Sequence, residues 1–260
     1  MPASGVFKKG IAESKAEIVV CQTIFMAEQR RLFRSPLILF RKKILDLSHQ
    51  GLYPLLTTIQ MHSKKYSMND QYRWFLVEPI QGEAGVNTPS DDFMQKVQAL
   101  CNAHNVLFMA DEIQTGIGRT GSLLAVCGNC SCQSSCEQQQ ETYARPDILI
   151  LGKALGGGVY PVSAVLADRE VMEVIRPGEH GSTFGGNPVA SAVGMASLQV
   201  IEDERLAQNA RALGQIFRAH LNEYKSESKV LVGVRGRGLL NAIVINDSQG
   251  FLGLGYLHGL

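Results

Sequence analysis

The sequence has no apolar run near the roughly 18 to 20 residues that a membrane-spanning helix needs. Its first residues also lack the basic-then-apolar order of a secretory signal. No membrane partner is expected, and a soluble intracellular protein is the default. Charge of one sign is equally scarce: 25 Lys and Arg face 24 Asp and Glu, a formal net charge of +1. That balance leaves no basic excess to grip a polynucleotide, so no nucleic-acid partner is expected. Hydrophobic residues reach 45% and charged residues 19%, which is too apolar for a disordered tail. At 260 residues the chain can bury a sizeable core, so size does not exclude an enzyme.

Cysteine is sparse outside one stretch. Cys21 and Cys101 stand alone, while Cys127, Cys130, Cys132 and Cys136 crowd together as C-x2-C-x-C-x3-C. Four thiols could hold zinc or pair locally as disulfides, but the single-residue middle spacing hinders tetrahedral closure. A surface loop with free thiols is the default, and no metal is assigned. With the polar residues that follow, the stretch 127–145 reads as an insertion.

Three segments differ in rhythm. Residues 75–225 alternate short apolar runs with amphipathic patterns, as expected of an α/β core with a mostly parallel sheet and helices on both faces. Strands are expected at 75–77, 106–110, 148–151 and 162–166. Ser90 reads as an N-cap for a helix whose inner face carries Phe93, Val97, Leu100 and Cys101. Helices are also expected at about 188–202 and 204–224 on periodicity, the second with Leu206, Ala210, Leu213 and Phe217 on its inner stripe. Residues 226–260 start a second subdomain with a strand at 239–245, which Arg235-Gly-Arg237-Gly precedes as a basic turn. Residues 1–74 are irregular, and from 22 to 74 basic residues interrupt apolar clusters without a clean period.

Three motifs carry chemistry. In Leu149-Ile-Leu-Gly-Lys153-Ala-Leu-Gly-Gly-Gly158 a buried strand delivers one lysine into a glycine-rich turn, where a planar ligand can approach the backbone. A buried amine is nucleophilic and can hold an aldehyde cofactor as an imine; a solvated loop lysine is the plain alternative. Asp111, at the end of the strand before Glu112-Ile-Gln114-Thr-Gly, sits where open α/β sheets bind ligands and could pair with a ring nitrogen, or merely cap the next segment. Gly178-Glu-His180-Gly-Ser182-Thr183-Phe-Gly-Gly-Asn187-Pro188 opens onto a helix and could bind a phosphate, or be a turn. His104, His180 and His220 read as helix or loop residues.

Together with Glu78-Pro-Ile-Gln-Gly-Glu83-Ala-Gly, these motifs, in this order, resemble the class III pyridoxal-phosphate-dependent aminotransferases. Within that class they look most like the ornithine aminotransferases, over about two thirds of the chain. The resemblance implies the fold type I transferase architecture, with pyridoxal 5'-phosphate as cofactor. It implies Lys153 as the lysine that carries the cofactor, Asp111 on the pyridine nitrogen and Gln114 on the phenolic oxygen. Glu83 would govern substrate access, and Ser182 and Thr183 would reach the cofactor phosphate of a partner subunit in a homodimer. The implied reaction moves the δ-amino group of ornithine to 2-oxoglutarate, giving glutamate 5-semialdehyde and glutamate. An acetylornithine or 4-aminobutyrate transaminase, or a catalytically inactive fragment, is the alternative. The compartment is left between mitochondrial matrix and cytoplasm.

Relative to that family the chain lacks an N-terminal segment and most of a C-terminal subdomain, and poor folding is expected. After Cys21 the family has Asn-Phe-His/Trp-Gly-Arg-Thr, whereas Gln22-Thr-Ile-Phe-Met-Ala-Glu28 stands here. Codons allowed for this stretch, read two bases later, give Ser-Asn-Asn-Phe-His-Gly-Arg-Thr. A frameshift near Cys21, restored before Phe75, is therefore expected, and Phe25 and Glu28 are not assigned to the site. The tail 253–259 admits a similar second reading.

Overall fold

The structure is a computed structural model that describes residues 17–19, 74–103, 106–128, 144–175, 177–246 and 255–258. The proposed frameshift segment up to residue 73, His104 and the cysteines at 130, 132 and 136 lie outside the described residues, and Trp74, the last residue of the segment read as irregular, opens the second strand.

A five-stranded sheet forms the centre. Its strands are β1 (Glu17–Val19), β2 (Trp74–Val77), β3 (Leu107–Asp111), β4 (Ile148–Leu151) and β5 (Ala164–Ala167), in the order β1-β5-β4-β3-β2. β2, β3 and β4 pair in parallel, and β5 runs antiparallel to both β4 and β1. The sheet is therefore mixed, with β5 as its one reversed strand.

Alternation along the strands explains which side is dry. Phe75 lies opposite Phe108, and Val77, Ala110, Leu149 and Leu166 form one cross-strand row. All six are buried, because side chains two apart on a strand share a face. Helix α1 (Phe93–Ala103) lays Met94, Val97 and Cys101 into that core. Phe93 and Leu100 pack at its margin, so Met94 takes a place that the sequence pattern had assigned to them. Ser90 is not a side-chain cap: its hydroxyl donates to Asp92 Oδ1 at 2.7 Å, and only its backbone carbonyl receives Phe93 N, at 3.0 Å. The helix opens two residues later than such a cap would place it, with Asp92 O accepting from Lys96 N at 3.1 Å.

Among the described residues the remaining α-helices are α2 (Arg169–Met172), α3 (Pro188–Asp203) and α4 (Leu206–Glu227). Asn187 caps α3, its Oδ1 accepting from Ala190 N at 2.9 Å, and proline takes the first helical position. On α4 the buried residues are Ala207, Ala210 and Gly214. Leu213 and Phe217 remain 47% and 36% exposed, so the expected inner stripe is displaced by about one position. The cause is close backbone approach: a Cβ on Gly214 would overlap the carbonyl of Gly238. Small residues, not leucines, make that contact.

A second sheet of β6 (Leu231–Arg237), β7 (Leu240–Ile245) and β8 (Gly255–His258) is antiparallel throughout. Arg235 and Arg237 belong to β6, so the basic turn expected there is a strand, and the reversal falls on Gly238 and Leu239. Arg237 pairs with Asp91 at 2.8 Å and Arg235 Nη1 donates to Asn87 Oδ1 at 3.0 Å. These partners hold two cations against the first sheet's loops. Ile80, Val86, Leu240 and Ala242 form a small apolar cluster across the same junction.

Candidate active site

Three parallel strands end side by side, and each continues into a loop that carries candidate residues. β2 runs into Glu78 and the loop 78–87, β3 into Asp111-Glu112-Ile113-Gln114, and β4 into Gly152-Lys153. This is the edge where parallel sheets place ligands.

Asp111 is the last residue of β3 and lies opposite Ile150 of β4. Its Oδ1 accepts from Ile113 N at 3.1 Å, and Glu112 N extends the ladder to Ile150 O at 2.9 Å. Lys153 follows β4 by two residues and opens a short helical turn (Lys153–Gly156). Its φ is +45°, a left-handed conformation that a side-chain-bearing residue adopts at a cost of about 1–2 kcal/mol. Strain of this kind collects where a side chain must be presented in one direction. α3 buttresses the turn, with Ser197 Oγ donating to Ala154 O at 3.2 Å.

Gln114 reaches across to the loop after β2, donating from Nε2 to Glu83 Oε1 at 3.3 Å. That loop closes on itself through hydrogen bonds. Glu78 Oε2 accepts from Gly82 N at 3.0 Å, and Gln81 and Asn87 exchange backbone hydrogen bonds of 3.2 and 3.0 Å.

The structure thus brings Glu83, Asp111, Gln114 and Lys153 to neighbouring strand ends. Ser182 and Thr183 are elsewhere, exposed on the loop ahead of α3, where Ser182 Oγ accepts from Gly185 N at 2.9 Å. His180 is exposed in that same loop.

Sequence reasoning missed Glu112. It is fully buried, accepts from Thr115 Oγ1 at 2.5 Å and from Val126 N at 2.8 Å, and so pins both ends of the loop 112–126. Burial pushes its carboxyl above the ordinary range, against the opposing pull of those donors. The signal was present in the alternation: Phe108, Ala110 and Glu112 share the inward parity, while Asp111 shares that of Leu107 and Met109. Gly82 was missed as well, because a glycine in a loop reads as turn chemistry and its empty side is visible only in three dimensions.

Among the described residues no group of side chains could hold a metal ion, and no helix is long and apolar enough to cross a membrane. The model of the aminotransferase class-III family matches residues 53–252. The chain belongs to the class III aminotransferase family. Members of this family use pyridoxal 5'-phosphate. The mitochondrial ornithine aminotransferase of Drosophila melanogaster is 56% identical over 173 residues, covering 66% of this chain and 37% of that protein. A Plasmodium yoelii ornithine aminotransferase structure superposes with a TM-score of 0.69 at 36% identity, covering 91% of this chain and 61% of that one. An acetylornithine aminotransferase structure from Elizabethkingia anophelis gives 0.66 at 47% identity, with coverages of 79% and 46%. The chain thus spans a little over a third of its curated fly relative.

The strand-end site of this class III aminotransferase chain fits the family's cofactor in its donor set. It offers a primary amine after β4 and a carboxylate and an amide at the adjacent end of β3, beside a run of glycines of which Gly158 would set a Cβ in open space.

Proposed function

We propose that this chain carries the cofactor-binding core of an ornithine δ-aminotransferase, acting on an amino acid donor and a 2-oxo acid acceptor. The observation that supports it most is Lys153, strained into the left-handed region at the end of β4, one strand from Asp111. Bound pyridoxal phosphate would supply an electron-withdrawing ring that stabilises negative charge at the substrate carbon.

The chain's own residues would do the rest. Lys153 would hold the cofactor covalently through Nζ and, once displaced by substrate, move a proton with that same nitrogen. Asp111 would keep a proton on the ring nitrogen, since a carboxylate there favours the cationic ring. Gln114 would donate to the phenolic oxygen, and Glu83, beside it, would face the substrate. Ser182 and Thr183, exposed ahead of α3, would contact the cofactor phosphate of a second copy, with two chains forming a homodimer.

Ornithine as donor rests on the name of the fly relative, at 56% identity, and on Glu83. The acetylornithine aminotransferase neighbour makes acetylornithine the second reading. The compartment, mitochondrial matrix or cytoplasm, follows the same comparison, since the fly relative is mitochondrial by name.

The test is turnover by the purified chain with pyridoxal phosphate, 2-oxoglutarate and either ornithine or acetylornithine, with glutamate formation followed for both donors and the semialdehyde of each, free or N-acetylated, trapped as it forms. Semialdehyde from ornithine alone supports the proposal. Preference for acetylornithine favours the second reading, and a folded protein inert to both overturns the activity.

A further inference from the structure

We infer that Gly82 is a positioning residue for Gln114: its missing side chain is the space that the Gln114 amide occupies, and the loop after β2 thereby decides how that amide faces. The inference rests on the reading of Gln114 as a cofactor contact.

Glycine at 82 is not required by its backbone, because Gly82 is absent from the positive-φ residues of the described chain. What it avoids is a collision. The three atoms nearest to a Cβ built on Gly82 are Oε1, Cδ and Nε2 of Gln114, and the first of these would overlap it. Gly214, by contrast, meets main chain, at Gly238. At position 82 the neighbour is the far end of one flexible side chain, and that side chain belongs to the site.

Gly82 cannot step aside to share the space. Its N–H donates to Glu78 Oε2 at 3.0 Å, and its carbonyl accepts from Gly85 N at 2.9 Å and Val86 N at 3.0 Å. Three hydrogen bonds hold its peptide groups while Glu83, the next residue, accepts from Gln114 Nε2 at 3.3 Å. A carboxylate only accepts, so it selects the amide's NH2 side, and the oxygen is left against the Gly82 Cα. The pair 82–83 therefore sets both position and orientation: the glycine gives room, and the carboxylate chooses which atom fills it.

The consequence is specific. Gly82→Ala should act through Gln114 and through nothing else, since the added methyl displaces an amide that can rotate away without disturbing the fold. The experiment is a double-mutant cycle on the full chain with Gly82→Ala, Gln114→Ala and both together. It reads pyridoxal phosphate affinity by titration, melting temperature, and the side-chain amide resonances of Gln114 in the cofactor-free protein.

Gly82→Ala is expected to shift those resonances and to weaken cofactor binding about tenfold, the scale of one lost hydrogen bond. The double variant should be no weaker than Gln114→Ala alone. Should Gly82→Ala fail to fold while the double variant folds, the shared space is demonstrated directly. Unmoved resonances, losses that multiply in the double variant, or failure of both proteins to fold would overturn the role of Gly82. Unchanged affinity in Gln114→Ala would instead overturn the cofactor reading of Gln114, while the resonances still report the geometry.

Discussion

Thr115 Oγ1 donates a 2.5 Å hydrogen bond to Glu112 Oε2, and both residues are fully buried. With Val126 N on the other carboxyl oxygen, this pair fastens the loop that carries Gln114 to the strand that carries Asp111. Removing the carboxyl would leave buried donors without partners. Glu112→Ala is therefore expected to lower stability by about 3 kcal/mol, read from urea unfolding, while Glu112→Gln keeps the shape and loses less.

The same carboxyl sets a pH dependence with a definite sign. Burial raises its folded pKa above the ordinary value of 4.5, so between those two values the folded state holds a proton that the unfolded state has released. Stability from this group is complete below about 4.5 and declines as pH rises towards the folded pKa. Glu112→Gln cannot titrate. Melting temperature followed upward from pH 4.5 should fall less steeply in Glu112→Gln than in the parent, and identical slopes would contradict the assignment.

Lys153 should show a conflict between stability and function. A glycine at this left-handed position relieves the Cβ strain, so Lys153→Gly is expected to raise stability by about 1 kcal/mol. The same variant should lose covalent retention of pyridoxal phosphate altogether. Thermal unfolding and cofactor release on gel filtration measure the two halves.

Gly214→Ala tests the junction between α4 and the second sheet. The new methyl would meet the Gly238 carbonyl, a main-chain group that cannot rotate aside. Arg211, three residues before, is already committed to the Gly121 carbonyl through Nε at 3.0 Å and Nη2 at 2.7 Å. Gly214→Ala should therefore cost about 2–3 kcal/mol by overpacking, whereas Asp168→Ala, which breaks an exposed ion pair with Arg145, should cost under about 1 kcal/mol. Paired denaturation curves compare them.

The legible and illegible parts of this molecule divide along physical lines. β4 was readable residue for residue, since Ile148–Leu151 is a continuous apolar run, and β3 and β5 were missed only by a residue or two at their ends. Parallel pairing of β2 and β3 follows from the helical pattern between them, but the reversal of β5 leaves no mark on its own composition. α4 was found and its inner face misjudged. Hydrophobicity pointed to Leu213 and Phe217, while the backbone contact at Gly214 obeys size, a criterion that apolar periodicity does not weigh. β6 was hidden because Arg235 and Arg237 look like a basic turn until Asn87 and Asp91 are seen to partner them. At the site, Lys153, Asp111, Gln114 and Glu83 stood out through motif wording. Glu112 and Gly82 did not, because their importance lies in what surrounds them.

The central claim is that Lys153 carries the cofactor, and reductive trapping tests it most directly. The purified chain would be incubated with pyridoxal phosphate, treated with borohydride, digested and mapped by mass spectrometry. The account predicts one phosphopyridoxyl group per chain, on the peptide containing Lys153, and none there in Lys153→Ala. Label on a different lysine, or none in soluble folded protein, would contradict it.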